Sequence, residues 1–217
     1  NIGDKRFFID LGSDNYNLKP YRGCYRFRAE GHNTVIFNPA PENDQNRHAD
    51  CHIARFSSAG DSYAIADMSE AYNGQSVVRG MKMLRESGSV LLQDEIECAQ
   101  NDVIRWSAHT PAAIRLYEKG KAAVLDIEGT KLLAVLLTEG SFEVRAAVAD
   151  ENSPTLAPAP TSTSSIPVPQ ATNEGIQKLV VHLTGKTKHT VSVWLRPLQE
   201  GEDIPAQKPQ VSALSLW

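Results

Sequence analysis

Apolar and polar residues alternate at period two along most of this chain, and no window of helical length carries an apolar face at i, i+3, i+4 and i+7. Successive strand side chains point to opposite faces, so this pattern predicts an all-β protein. The expected strands are 5–10, 24–30, 33–38, 51–57, 62–68, 76–86 and 88–97, then 102–109, 112–117, 121–127, 130–138, 141–148, 177–184 and 188–196. Glycine and polar residues mark the joints: ESGS at 86–89, EKGK at 118–121, EGT at 128–130, TEGS at 138–141 and TGKTK at 184–188. Joints this short connect antiparallel neighbours, since parallel strands need long crossovers. Some fourteen strands so spaced imply a large antiparallel two-sheet β-sandwich.

Three stretches break the pattern. LKPYRGCY and 38–50 (NPAPENDQNRHAD) are the loops of the first quarter long enough to carry a site. Residues 151–172 hold five of the twelve prolines and eight Ser or Thr, a composition that removes ladder donors and buries little. Because two well-patterned strands follow, this stretch reads as an exposed loop inside a single domain covering 1–217. The tail after Arg196 is polar and broken by proline, and it ends in an apolar clip expected to pack back on a sheet.

A formal net charge of −4 lacks the basic excess that a phosphate backbone demands, so nucleic acid is not an expected partner. Cys24, Cys51 and Cys98 show no CxxC spacing and an odd count, which reads as free thiols. No apolar run approaches the roughly 20 residues of a membrane span. The chain opens on Asn and runs almost at once into RFFIDLG, and so reads as an excerpt of a longer protein.

No HExxH, GxSxG or glycine-rich phosphate loop occurs. His48, His52, His182 and His189 have no partner at metal spacing. Asp94 and Glu95 adjoin on one strand, so they face opposite ways and cannot share a substrate. What remains is Asp10, at the end of RFFID, and His32, between a glycine and an asparagine. A carboxylate and an imidazole suit a divalent metal, but two ligands do not make a site, and by local rules each is ordinary turn polar filling.

FFIDLGSDNYNLKPY, then RAEGHNT, DMSEAY, RGMKMLRESGSVLLQDEI, WSAHTPA and a late NEGIQKLVV together resemble the C-terminal β-sandwich region of the heparinase II/III-like polysaccharide lyases, which include oligoalginate lyases. The resemblance runs in order from about residue 5 to about residue 196. It implies a lyase acting on uronate-containing polysaccharide by β-elimination, in which an N-terminal helical toroid supplies most catalytic groups and the opposite wall of the cleft. It also implies a zinc site containing Asp10 of I-D-x-G and His32 of G-H-N-T. A histidine from an upstream H-x-H-x-D segment, which this chain begins too late to contain, completes that site.

The same resemblance makes Tyr16 and Tyr21, in the loop between the two ligands, candidates to face the substrate. Arg26, paired with Arg28 on one face of the expected strand 24–30, is a candidate to meet anionic sugar. His109, in W-x-x-H-T, is expected to fix a turn. The expected whole is a periplasmic or secreted lyase of which this chain is a catalytically incomplete part. The rival readings are a carbohydrate-binding module, which would present an exposed planar row of aromatics, and a purely structural interaction domain.

Overall fold

The computed structural model describes residues 1–19, 23–39, 43–149, 161–163, 165 and 168–217. Fourteen strands run through these residues: β1 (Leu18–Lys19), β2 (Val35–Phe37), β3 (His52–Ser57), β4 (Tyr63–Asp67), β5 (Ser76–Leu84), β6 (Ser89–Glu97), β7 (Ile104–Thr110), β8 (Ala113–Tyr117), β9 (Ala122–Ile127), β10 (Thr130–Leu136), β11 (Glu143–Ala146), β12 (Thr161–Ser162), β13 (Gln177–Leu183) and β14 (Lys188–Leu198). All pair antiparallel. One sheet has eight strands in the order β3-β4-β5-β6-β14-β10-β9-β8, and a second has four in the order β11-β13-β7-β2. The chain is an all-β sandwich.

Twelve of these strands fall on expected ranges, and two expected strands do not form. Residues 24–30 instead wind into two consecutive 3-10 turns, Tyr25–Phe27 and Ala29–Gly31. Gly31 permits the fold-back, because a Cβ there would meet the Tyr25 carbonyl oxygen and come within 3.0 Å of the Arg26 Cα. Arg26 and Arg28 therefore share no strand face, and Arg28 is fully buried. Residues 5–10 run as an irregular margin, bent at Phe7 and Phe8 and held to β7 by the Ile9 N–H donating to the His109 carbonyl at 3.1 Å. Within the Pro/Ser/Thr-rich stretch, Thr161–Ser162 pair with Leu18–Lys19 in a two-residue ladder, where no proline interrupts. Residues 150–160, 164, 166 and 167 lie outside the described residues.

Between the sheets, Val77, Ile96, Leu125 and Val193 of the larger pack with Ile104, Trp106, Leu179 and Val181 of the smaller. The alternation reads directly on β6. Asp94 points inward, accepting from Trp106 Nε1 across the layer at 2.9 Å and from Arg79 Nε and Nη2 at 2.7 Å each. Glu95 points outward and accepts from the Leu214 N–H at 2.7 Å. The outer face of the larger sheet is thus covered by the tail, whose Leu214 and Trp217 join Ile65, Leu91, Leu133 and Trp194 in a second cluster, as the apolar clip predicts. The outer face of the smaller sheet is roofed by the 3-10 turns, and this roof positions the candidate site.

Candidate functional site

Asp10 and His32 meet: His32 Nδ1 lies 2.6 Å from Asp10 Oδ2. Asn33 brings them together. Its Oδ1 accepts from the His109 backbone N–H at 2.7 Å and from His109 Nδ1 at 3.1 Å, while its Nδ2 donates to the Ile9 carbonyl at 3.0 Å. The margin carrying Asp10 and the turn carrying His32 are therefore tied to the same end of β7. From the inner layer, Arg79 Nη1 donates to the Asn33 carbonyl at 2.7 Å, so the Asp94–Arg79 pair braces the turn from behind. The motif GHNT points to the histidine, while local sequence does not mark the asparagine beside it as the group that ties the two segments together.

Asp10 closes a small turn, its Oδ1 accepting from the Gly12 N–H at 2.8 Å, with Gly12 at φ 68°. Partial burial raises its carboxyl pKa, but the bonds from His32 and Gly12 outweigh this and hold it below the ordinary range. Both side chains reach solvent.

Beneath them lies a buried relay. Lys178 Nζ donates to Tyr25 Oη at 3.0 Å, and Tyr25 Oη lies 2.8 Å from His109 Nε2. The Asn33 amide is oriented by its bond to Ile9, so its oxygen faces His109, and Nδ1 carries the imidazole proton. Nε2 is then the acceptor for the Tyr25 hydroxyl. Burial, together with the nearby Lys178 and His32 charges, pushes the His109 pKa down to about 3, against the weaker pull of Asp10. His109 does hold a turn, as expected, and it holds the one that carries the site.

A groove of about 660 Å³ opens beside His32, lined by Tyr16, Phe27, Arg47, Cys51 and Met68 among others. Tyr16 is 67% exposed, and its ring tilts against Phe27 with centroids 5.7 Å apart. Arg26 ties the roof to the descending loop, with Nε donating to Asn173 Oδ1 at 2.8 Å and Nη2 to the Thr172 carbonyl at 3.2 Å. Tyr21 lies outside the described residues. Trp106, Trp194 and Trp217 are all buried, so the tryptophans form no exposed row of the kind a binding module displays.

Asp10 and His32 offer one carboxylate oxygen and one imidazole nitrogen, donor types that zinc takes, and in this structure the two atoms share a hydrogen bond at a partly open edge. No cluster of three or more His, Cys, Asp or Glu able to hold a metal occurs among the described residues. The three cysteines are free, Cys24 buried and its thiol pushed by burial up to about 11. No helix among the described residues is long and apolar enough to cross a membrane.

A family model described as heparinase II/III-like, C-terminal, matches residues 1–200. Among solved structures, heparinase III (the BT4657 gene product) superposes with a TM-score of 0.60 at 10% identity, covering 89% of this chain and 28% of that one. Heparan sulfate lyase HepC from Pedobacter heparinus gives 0.58 at 9% identity, again over 89% and 28%. A mutant of HepC gives 0.57 at 9% identity, over 93% of this chain and 30% of that one. The chain thus spans under a third of the length of these solved relatives. None of the curated proteins compared matches it.

Proposed function

This chain belongs to the heparinase II/III-like C-terminal family, and from that premise we propose that it forms one wall of the substrate cleft of a periplasmic or secreted lyase that cleaves uronate-containing polysaccharide by β-elimination. The single observation that carries the reading is the 2.6 Å contact of His32 with Asp10 at the edge of an open groove that His32 also lines. In β-elimination a base takes the proton α to the uronate carboxylate, an acid protonates the departing glycosidic oxygen, and neutralising the carboxylate acidifies the α proton.

The groups assigned here bind and orient. Tyr16, exposed at the groove, faces the sugar, and Arg26 meets its charge through Nη1, since its other guanidinium nitrogens hold the loop. Asp10 and His32 hold a divalent metal, zinc by their donor types, with a further ligand from an upstream segment of the parent protein. When bound, the ion contributes a fixed positive charge that locks the Asp10 margin to the His32 turn. The proton-transfer groups belong to the helical toroid of the parent protein, so this chain alone turns over no substrate.

The test compares the parent protein, toroid included, with this chain on heparan and alginate polysaccharide, reading the ultraviolet absorbance of the unsaturated uronate product. Product from the parent alone is expected. Product from neither sinks the lyase reading, and product from this chain alone sinks the division of labour. Zinc titration of the parent, with Asp10→Ala and His32→Ala each losing the tight site, tests the metal assignment.

A further inference from the structure

We propose that the groove beside His32 is a subsite for one uronate residue, in which the Arg47 guanidinium receives the carboxylate while Tyr16 and Phe27 face the ring. This rests on the polysaccharide reading above and names the place where it acts.

Arg47 carries the argument. It lines the groove and is exposed. Its Nε makes a long contact of 3.3 Å to His48 Nε2, and its two terminal nitrogens bond to no described residue. Three other arginines are occupied: Arg79 grips Asp94, Arg55 the tail carbonyls and Arg85 the turn at Gly60. A guanidinium presents parallel donors that match a carboxylate, and one not used internally is available for a ligand.

The segment that presents it is fixed. The Asn46 N–H donates to the Ala71 carbonyl at 2.9 Å, the Ala49 N–H to the Asn46 carbonyl at 3.2 Å, and the Asp50 N–H to Glu70 Oε2 at 3.0 Å. Arg47 therefore projects from a turn stapled to the neighbouring 3-10 turn Ser69–Ala71. The carboxylate lining the groove, Asp44, has Oδ1 committed to the backbone amides of Ala29 at 2.9 Å and Gln45 at 3.0 Å. Negative charge on a ligand is thereby directed to the Arg47 end. Phe27, Met68 and the exposed Tyr16 supply apolar surface of the kind that the C–H face of a sugar ring covers. The volume is that of an ordinary small-ligand cleft.

The test is an NMR titration of the chain with a heparosan tetrasaccharide and a mannuronate tetrasaccharide, each beside its carboxyl-reduced counterpart. Wild type is expected to bind at least one acidic form more tightly than its reduced form. Arg47→Gln is expected to weaken acidic binding tenfold or more while leaving the reduced form within twofold. Arg47→Lys should fall between, and Tyr16→Ala should weaken both forms. Arg115→Gln, on the edge strand β8, should change neither. Wild-type binding that Arg47→Gln leaves intact overturns the subsite alone. Wild type that binds neither acidic form overturns the subsite, whereas the polysaccharide reading falls only if the parent protein forms no unsaturated product.

Discussion

Asn33 Oδ1 accepts twice from one residue, taking the His109 backbone N–H at 2.7 Å and the ring Nδ1 at 3.1 Å. This pairing converts a turn asparagine into the clamp that sets the distance between Asp10 and His32. Replacing it by Ala leaves a buried imidazole N–H and the Ile9 carbonyl short of a partner, and each such loss costs about 1–3 kcal/mol. Asn33→Ala should lower the denaturation midpoint and move the His32 ring resonances, because the turn and the Asp10 margin separate. Asn33→Asp should restore the acceptor but not the donation to Ile9, recovering part of the stability. A His32 environment unchanged in Asn33→Ala would show that the clamp does not set the site.

Behind the turn, Arg79 binds both oxygens of Asp94, whose side chain is wholly buried, and also holds the Asn33 carbonyl. Arg79→Ala strands a buried carboxylate beside Trp106, a change of the kind that costs about 3–5 kcal/mol. Removing both charges in Arg79→Met/Asp94→Leu should cost clearly less than Arg79→Ala, since no uncompensated ion is left. Chemical denaturation of the two variants decides it. Equal losses would mean that the charge pair itself carries the stability.

The strands were legible because turn residues close them and their apolar and polar residues alternate; β5, β6, β7 and β14 lie within two residues of their expected bounds, although β7 is buried on both faces. The roof misled for a physical reason. In CYRFRAE the arginines look like the solvated half of an alternating strand, yet Arg28 and Glu30 are buried with the smaller sheet, and Arg105 Nη2 lies 3.5 Å from Glu30 Oε2. Alternation cannot separate a solvated charge from one neutralised by a distant residue. Asp10 and His32 were legible as a pair only through the resemblance, since their meeting depends on Asn33 and His109, 76 positions apart. Arg47 sits in a loop with no periodicity, and only the groove picks it out.

His109 makes the fold sensitive to mild acid. Its folded-state pKa of about 3 lies below the ordinary histidine value of about 6.5. Between these values the unfolded chain binds a proton that the folded chain refuses, so stability is complete above about pH 6.5 and declines as pH falls towards 3. The decline is at most about 1.4 kcal/mol per pH unit from this group. Asp10 acts in the same direction further into acid: its depressed carboxyl contributes stability that disappears as pH falls through its folded value. Denaturation midpoints measured from pH 7 to pH 4 should fall for wild type and be flatter for His109→Gln. Parallel curves would overturn the assignment.

The C-terminal clip offers the last test, because one glycine admits it. A Cβ on Gly80 would lie 2.8 Å from Trp217 Cζ3 and collide with the Leu214 side chain, so the clip seats only on a bare backbone. Arg55 secures it by donating to the Ser215 carbonyl at 3.1 Å and to the Trp217 carbonyl at 2.6 Å. Gly80→Ala should therefore lift the clip, costing about 1–3 kcal/mol as overpacking does, and shift Trp217 emission towards that of an exposed indole. Deleting residues 214–217 uncovers Ile65 and Leu91 and should cost more. The two changes act on one contact, so combining them should cost no more than the deletion alone. Additive losses in the combined variant would place the effect of Gly80 in the strand rather than under the clip.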